Sequence, residues 1–151
     1  MKLSKRANRI QPSVTVELNA KVAQMLQDGM DIVKMNIGEP DFGTPQNIRD
    51  AAKEAIDNGF TRYTAVPGIP DLRKAICQKL KKDNGIEYSA ENICVSTGAK
   101  QAIMNALLTL VDEGDEVIIP IPCWVSYESM VEIAGGAAVT VPTKEDFHLD
   151  I

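Results

Sequence analysis

Apolar residues recur at helical spacing in five stretches of this chain, and short apolar runs separate the later ones. Leu18, Val22, Met25 and Leu26 share one helical face, and Asp28-Gly29 supplies a stop. Ile48, Ala51, Ala52, Ala55 and Ile56 mark a second buried face, with Thr44 as N-cap, Pro45 as first helical residue and Gly59 as stop. Leu72, Ile76 and Leu80 predict a third helix ending near Asn84-Gly85. Residues 99–111 predict a fourth, with Ile103, Ala106, Leu107 and Leu110 turned inward. Tyr127, Met130, Val131 and Ala134 form the stripe of a fifth, closed by Gly135-Gly136. Residues 1–14 carry no period and read as an irregular arm.

Between these helices the pattern predicts strands at 32–37, 92–96, 116–121 and 137–141, the third of them strongly buried. Residues 38–43, 63–70 and 112–115 are loops or turns by composition. From residue 92 onward, strands alternate with helices. That alternation predicts an α/β fold: a three-layer αβα arrangement with a mostly parallel sheet covered on both faces. The crossovers between such strands are expected to be right-handed.

Composition narrows the function. The chain has 151 residues, 44% hydrophobic and 25% charged, enough for one domain with a core. Sixteen basic against 21 acidic residues leave a net charge of −5, which argues against nucleic acid as the main partner. Lys2, Lys5, Arg6 and Arg9 form a short basic run without aromatics, read as a solvated arm. No apolar segment of signal-peptide type follows that run, and no apolar run is long enough for a membrane span. Cys77, Cys94 and Cys123 share no metal-ligand spacing, so we expect reduced thiols, no metal site and a cytoplasmic protein. His148, the only histidine, lies in a polar stretch with no nucleophile motif nearby, and no catalytic role is expected for it.

Two segments carry candidate chemistry. Ser96-Thr97-Gly98-Ala99-Lys100-Gln101-Ala102 leaves an expected strand and enters an expected helix. At such a junction the unpaired backbone N–H groups and the positive helix end favour an anion. Gly98 lets a ligand approach the backbone, and Ala99 is small enough not to block it. Lys100 puts a cation in the first turn, where it opposes the helix dipole, and this hints at a negative partner. The spacing is neither a P-loop nor a dinucleotide fingerprint. The same residues also fit a plain strand-to-helix turn with a small residue for close packing. The second segment, Pro120-Ile121-Pro122-Cys123-Trp124, ends another expected strand with the only tryptophan. Ligands of parallel sheets bind beyond the carboxyl ends of the strands, and an indole face suits stacking on a flat ring. A core anchor is the competing reading of Trp124. Pro122 follows a strand, where a cis bond often sets a tight turn.

In order along the chain, six segments resemble the class I aminotransferases of pyridoxal-phosphate fold type I. They are most similar to the bacterial and archaeal aspartate aminotransferase branch. The segments are Pro12-Ser13-Val14-Thr15 with Asn19-Ala20-Lys21; Gly38-Glu39-Pro40-Asp41-Phe42 with Thr44-Pro45; Tyr63 with Pro67-Gly68-Ile69-Pro70-Asp71-Leu72-Arg73; Thr97 to Ala102; Gly114-Asp115-Glu116-Val117; and Pro122-Cys123-Trp124-Val125-Ser126-Tyr127. The resemblance implies that residues 1–44 are an arm and part of a small domain, and that 45–151 begin the large cofactor-binding domain. It implies pyridoxal 5′-phosphate as cofactor, with its phosphate held at Gly98, Ala99 and Lys100 and its ring stacked on Trp124. It implies Gly38 and Trp124 as substrate contacts, Gly38 meeting the α-carboxylate. Thr15 and Lys100 match positions that help bind the side-chain carboxylate of an acidic substrate. Tyr63 matches a tyrosine that reaches the cofactor phosphate of the neighbouring subunit, implying a homodimer. Pro122 matches a proline usually preceded by a cis bond. Ala99 stands where relatives often have glycine, which leaves the amide in place. Cys123 stands where a hydroxyl or aromatic residue is common, which puts a side-chain contact there in doubt.

The family's reaction also needs a lysine that holds the cofactor covalently, a carboxylate at the pyridine nitrogen, and an arginine that clamps the α-carboxylate. In the family all three lie beyond the stretch this chain covers, and no lysine here stands at a matching position. We therefore expect a fragment with no catalytic residue of its own, in which Asp150-Ile151 reads as the start of another helix. The expected parent activity is transfer of an amino group from aspartate, or a similar amino acid, to 2-oxoglutarate. Aromatic or alanine aminotransferases and carbon–sulfur lyases share the same segments. A non-enzymatic remnant remains open too. A transcriptional regulator of this fold would begin with a DNA-binding helix-turn-helix, and none precedes residue 15.

Overall fold

A computed structural model describes residues 2–10 and 12–149; the helix start expected at Asp150 lies outside them. Contacts divide the chain into two units, Pro12–Asp71 and Met1–Gln11 with Leu72–Ile151.

In the first unit, α2 spans Val14–Gln27 and α3 spans Gln46–Asp57. The stops at Asp28-Gly29 and Asn58-Gly59 fall where the pattern placed them, each with its glycine at positive φ. Pro45, with ψ 143°, is the N-cap of α3 rather than its first helical residue, and its carbonyl accepts from the Ile48 and Arg49 N–H groups. Thr44 is therefore not the cap. The strand expected at 32–37 is absent: its backbone finds no ladder among the described residues, and Asn36 instead donates through its side chain to Asn19 Oδ1 on α2. The apolar face of α3 is not buried either, with Ile48 and Ile56 exposed.

The second unit holds α1 (Lys5–Arg9), most of α4 (Pro70–Lys79), α5 (Gly98–Leu110), β1 (Glu116–Ile121), α6 (Ser126–Ala134) and β2 (Ala137–Pro142). The arm is thus not wholly irregular: Ser4 caps α1, its hydroxyl accepting from the Ala7 N–H at 3.1 Å. After α4 a π-helical turn, Leu80–Asn84, ends at Gly85 in the left-handed region. β1 and β2 pair in parallel, Glu116 opposite Ala137 through Ile121 opposite Pro142, with α6 as the crossover. Among the described residues the sheet has these two strands. The strand expected at 92–96 is absent: Asn92 ends a short helical turn, Ala90–Asn92, and 93–96 lack the neighbour a strand needs to complete its hydrogen bonds.

The core is small. Ile119, Met130 and Val131 are the buried hydrophobic residues among those described. They lie where β1 and α6 meet, as the alternating and helical patterns require. β1 is less buried than its apolar run predicts, since Ile118 on its other face is exposed. Ile103 and Leu107 of α5 are half-buried, whereas Ala106 and Leu110 of the expected inward face are exposed.

Arg73 on α4 fastens the segment before α5. Its Nε donates to the Ile93 carbonyl at 3.1 Å, and its Nη2 donates to the Ala90 carbonyl. Nearby Glu91 is fully exposed, and its carboxyl is held below its ordinary pKa by a backbone hydrogen bond first, then by the Ser89 hydroxyl, with the Arg73 charge adding in the same sense. Arg73→Lys keeps the charge but replaces a fork that serves two carbonyls by a single ammonium. We expect a loss of about 1 kcal/mol in urea unfolding; an unchanged midpoint would show that the fork carries no weight.

Candidate functional site

The Gly98 turn is built by local bonds. The Gly98 N–H donates to the Ser96 carbonyl at 2.9 Å, and Asn105 Nδ2, two turns into α5, donates to Ser96 Oγ at 3.3 Å. Gln101 Nε2 donates to Asn105 Oδ1 at 2.7 Å. Gly98 itself sits at φ +78°, a conformation L residues rarely adopt, and a Cβ there would meet nothing within 4 Å. Thr97 at the N-cap makes no side-chain capping bond, and the first turn of α5 holds no acidic residue. The opening amides of α5 therefore lack the usual internal acceptors, next to open space. A helix start of this geometry can hold an anion.

Trp124 follows a bonded strand end and meets Tyr127 and Lys100. Thr143, just past β2, donates from its N–H and its Oγ1–H to the Ile121 carbonyl, each at 3.0 Å. The bond from Ile121 to Pro122 is cis, as the resemblance implies. The Tyr127 N–H donates to the Trp124 carbonyl at 3.1 Å, turning the chain into α6. The Tyr127 ring meets the indole edge-on, with centroids 5.5 Å apart and planes at 87°. Lys100 Nζ lies over the indole, 4.6 Å from its centroid. Trp124 is 42% exposed, so it is not a core anchor.

The structure thus brings together Gly98, Ala99 and Lys100 at the start of α5, and sets Trp124 against Lys100. The Lys100 side chain meets the indole face. Gly38, Thr15 and Tyr63 lie in the other unit. Gly38 sits in the expected loop with open space where a Cβ would project. The Thr15 hydroxyl, in the first turn of α2, shares a 2.9 Å hydrogen bond with Ser13. The Tyr63 ring is fully exposed. Cys123 is half-buried as a free thiol, and Cys77 and Cys94 are free as well. His148 Nδ1 lies 3.3 Å from Asp146 Oδ2, both side chains exposed. No metal-binding group of side chains occurs among the described residues, and no helix there is long and apolar enough to cross a membrane.

Sequence reading missed Thr143 and Tyr127 as supports of Trp124. The i to i+3 spacing of Trp124 and Tyr127 was a usable signal for the second. For Thr143 there was none, because its partner is a backbone carbonyl in another strand.

A family model described as aminotransferase class I and II matches residues 30–151. The chain is 49% identical over 139 residues to an aspartate/prephenate aminotransferase of Cereibacter sphaeroides, covering 92% of this chain and 35% of that protein. It is 45% identical over 149 residues to an aspartate aminotransferase of a Bacillus species, covering 99% of this chain and 38% of that protein. A solved structure of Thermus thermophilus aspartate aminotransferase with maleate superimposes with a TM-score of 0.92 at 41% identity, over 97% of this chain and 38% of that one. The chain spans little more than a third of these relatives, and over that span its incomplete α/β fold is theirs.

Proposed function

The chain belongs to the aminotransferase class I and II family, and on that footing we propose that it is the N-terminal part of a pyridoxal-phosphate-dependent aminotransferase. Its donor would be aspartate or a similar amino acid, and its acceptor 2-oxoglutarate. Prephenate, which appears in the names of several relatives, is a second acceptor to try. A cytoplasmic homodimer, and the division into 1–44 and 45–151, belong to the same proposal.

The observation that carries it is the joint placement of the open Gly98 turn and the half-exposed indole in one unit. The residues fit the cofactor: uncapped amides and a positive-φ glycine suit a phosphate, and an available indole face suits a pyridine ring. When bound, pyridoxal phosphate would supply the electron sink that lets the α-proton of an amino acid leave. The chain's own part is binding and orientation. The N–H groups of Ala99 and Lys100 would donate to the phosphate, Gly98 would leave room for it, and Trp124 would set the plane of the ring. Lys100 is also the cation proposed for a substrate's second carboxylate. In the other unit, the resemblance supports Gly38 for the α-carboxylate, Thr15 for the side-chain carboxylate, and Tyr63 for the cofactor phosphate of a partner subunit.

Residues 1–151 contain no lysine matching the one that holds the cofactor covalently. Purified 1–151 is accordingly expected to retain pyridoxal phosphate weakly on equilibrium dialysis and to form no glutamate from aspartate and 2-oxoglutarate. Aspartate-dependent glutamate above the enzyme-free rate would overturn the second expectation, and absence of any retained cofactor the first.

A further inference from the structure

The Lys100 ammonium stands over the only tryptophan of the chain, 4.6 Å from the ring centroid. Side chains on a helix lean toward its N-terminus, and Lys100 lies two residues past Gly98, so its stem starts beside the Gly98 turn. A ring tethered to a phosphate at that turn would use the same side. Tyr127 also meets the indole, with its ring perpendicular to it. We propose that Lys100 is a removable cover: its ammonium lies over the indole face, and it must leave before a flat ring can stack there.

The electrostatics make the cover easy to lift. A cation in the first turn of α5 opposes the helix dipole, and no acidic residue of that turn offsets it. The contact with the negative face of the indole is what holds the ammonium there. An anion arriving at the Gly98 turn reverses the balance, because it offers the ammonium a stronger partner within reach of the same flexible stem. Lys100 would then swing from ring to anion as the site fills. A ligand with both a ring and a phosphate opens the cover with its own charge, whereas a ring without a phosphate must displace it unaided. The device therefore favours phosphorylated flat rings over their dephosphorylated forms. It rests on the proposed cofactor reading.

The fluorescence of Trp124 reports directly on this, since there is no other tryptophan. The probes are pyridoxine, which has the ring without phosphate or aldehyde, pyridoxamine 5′-phosphate, and inorganic phosphate. Lys100 is exposed, so its replacement leaves the packing intact. Lys100→Ala is expected to shift the ligand-free emission and to tighten pyridoxine about two- to fivefold, the equilibrium weight of an exposed cation–π contact. It should weaken inorganic phosphate. Lys100→Arg, which keeps a cation able to cover the ring, should bind pyridoxine as the wild type does. Pyridoxine binding unchanged or weakened in Lys100→Ala, or tightened equally in Lys100→Arg, would overturn the cover while leaving the cofactor reading intact. If pyridoxamine 5′-phosphate fails to quench wild-type Trp124 at all, the cofactor reading falls and the cover with it.

Discussion

Gly98→Val is expected to weaken pyridoxamine 5′-phosphate binding by roughly a hundredfold. Gly98 holds φ +78°, with open space where a Cβ would project. A β-branched residue is a genuine outlier there, and the left-handed region alone costs an L residue about 1–2 kcal/mol. The turn relieves that strain by rotating back to negative φ, which swings the Ala99 and Lys100 N–H groups away from their common target. A hydrogen bond to a charged group contributes about 1.5–3 kcal/mol, so losing the better part of two removes about 3 kcal/mol of binding. Gly98→Asn separates backbone from space. Asparagine tolerates the left-handed region, so the stability seen in urea unfolding should stay near wild type. Its side chain still fills the approach to the amides, so affinity should stay low. Wild-type affinity in Gly98→Val, measured by quenching of Trp124, would exclude this turn as the phosphate site.

Gly136→Ala is expected to destabilise the Leu72–Ile151 unit by about 1–3 kcal/mol, the usual cost of overpacking. Gly136 links α6 to β2. A Cβ there would lie 2.5 Å from Val111 Cγ1, 3.1 Å from the Asp115 carbonyl oxygen and 3.3 Å from Val131 Cγ1. None of the three yields easily. Val131 is 2% exposed, in the middle of the small core. The Asp115 carbonyl accepts the Ala137 N–H at 2.8 Å, the bond that starts the parallel ladder. Val111 is stiff at χ1 because it branches at Cβ. Urea unfolding reads the loss as a lower midpoint. Adding Val111→Ala should recover part of it by removing the nearest clash. A midpoint unchanged by Gly136→Ala would mean that the α6–β2 link is looser than its packing indicates.

Elements with a local cause were legible in the chain. The stops at Gly29, Gly59, Gly85 and Gly135 follow from the left-handed residues that end helices, and each glycine has positive φ. Glu116–Ile121 runs to the residue as its apolar stretch predicts, and β2 extends one residue past its expected end. Elements that need a distant partner were not legible. Residues 32–37 and 92–96 have the composition of strands but no ladder among the described residues. The apolar stripe of α3 has helical period yet stays exposed, because periodicity states which face is apolar and not what lies against it.

The candidate site divides along the same line. The order of residue types along the chain was enough to place a glycine turn at the start of α5 and an indole past a strand end, since each depends on neighbours a few residues apart, and six segments in order were enough for the family. Where those groups stand relative to one another depended on how α5 and α6 pack. That packing put the Lys100 ammonium on the Trp124 ring, and the pairing of β1 with β2 put Thr143 on the Ile121 carbonyl before it. These contacts join residues up to 24 positions apart for Lys100 and Trp124 (124 − 100). Spacing along a chain does not encode a distance of that kind until the elements between are folded.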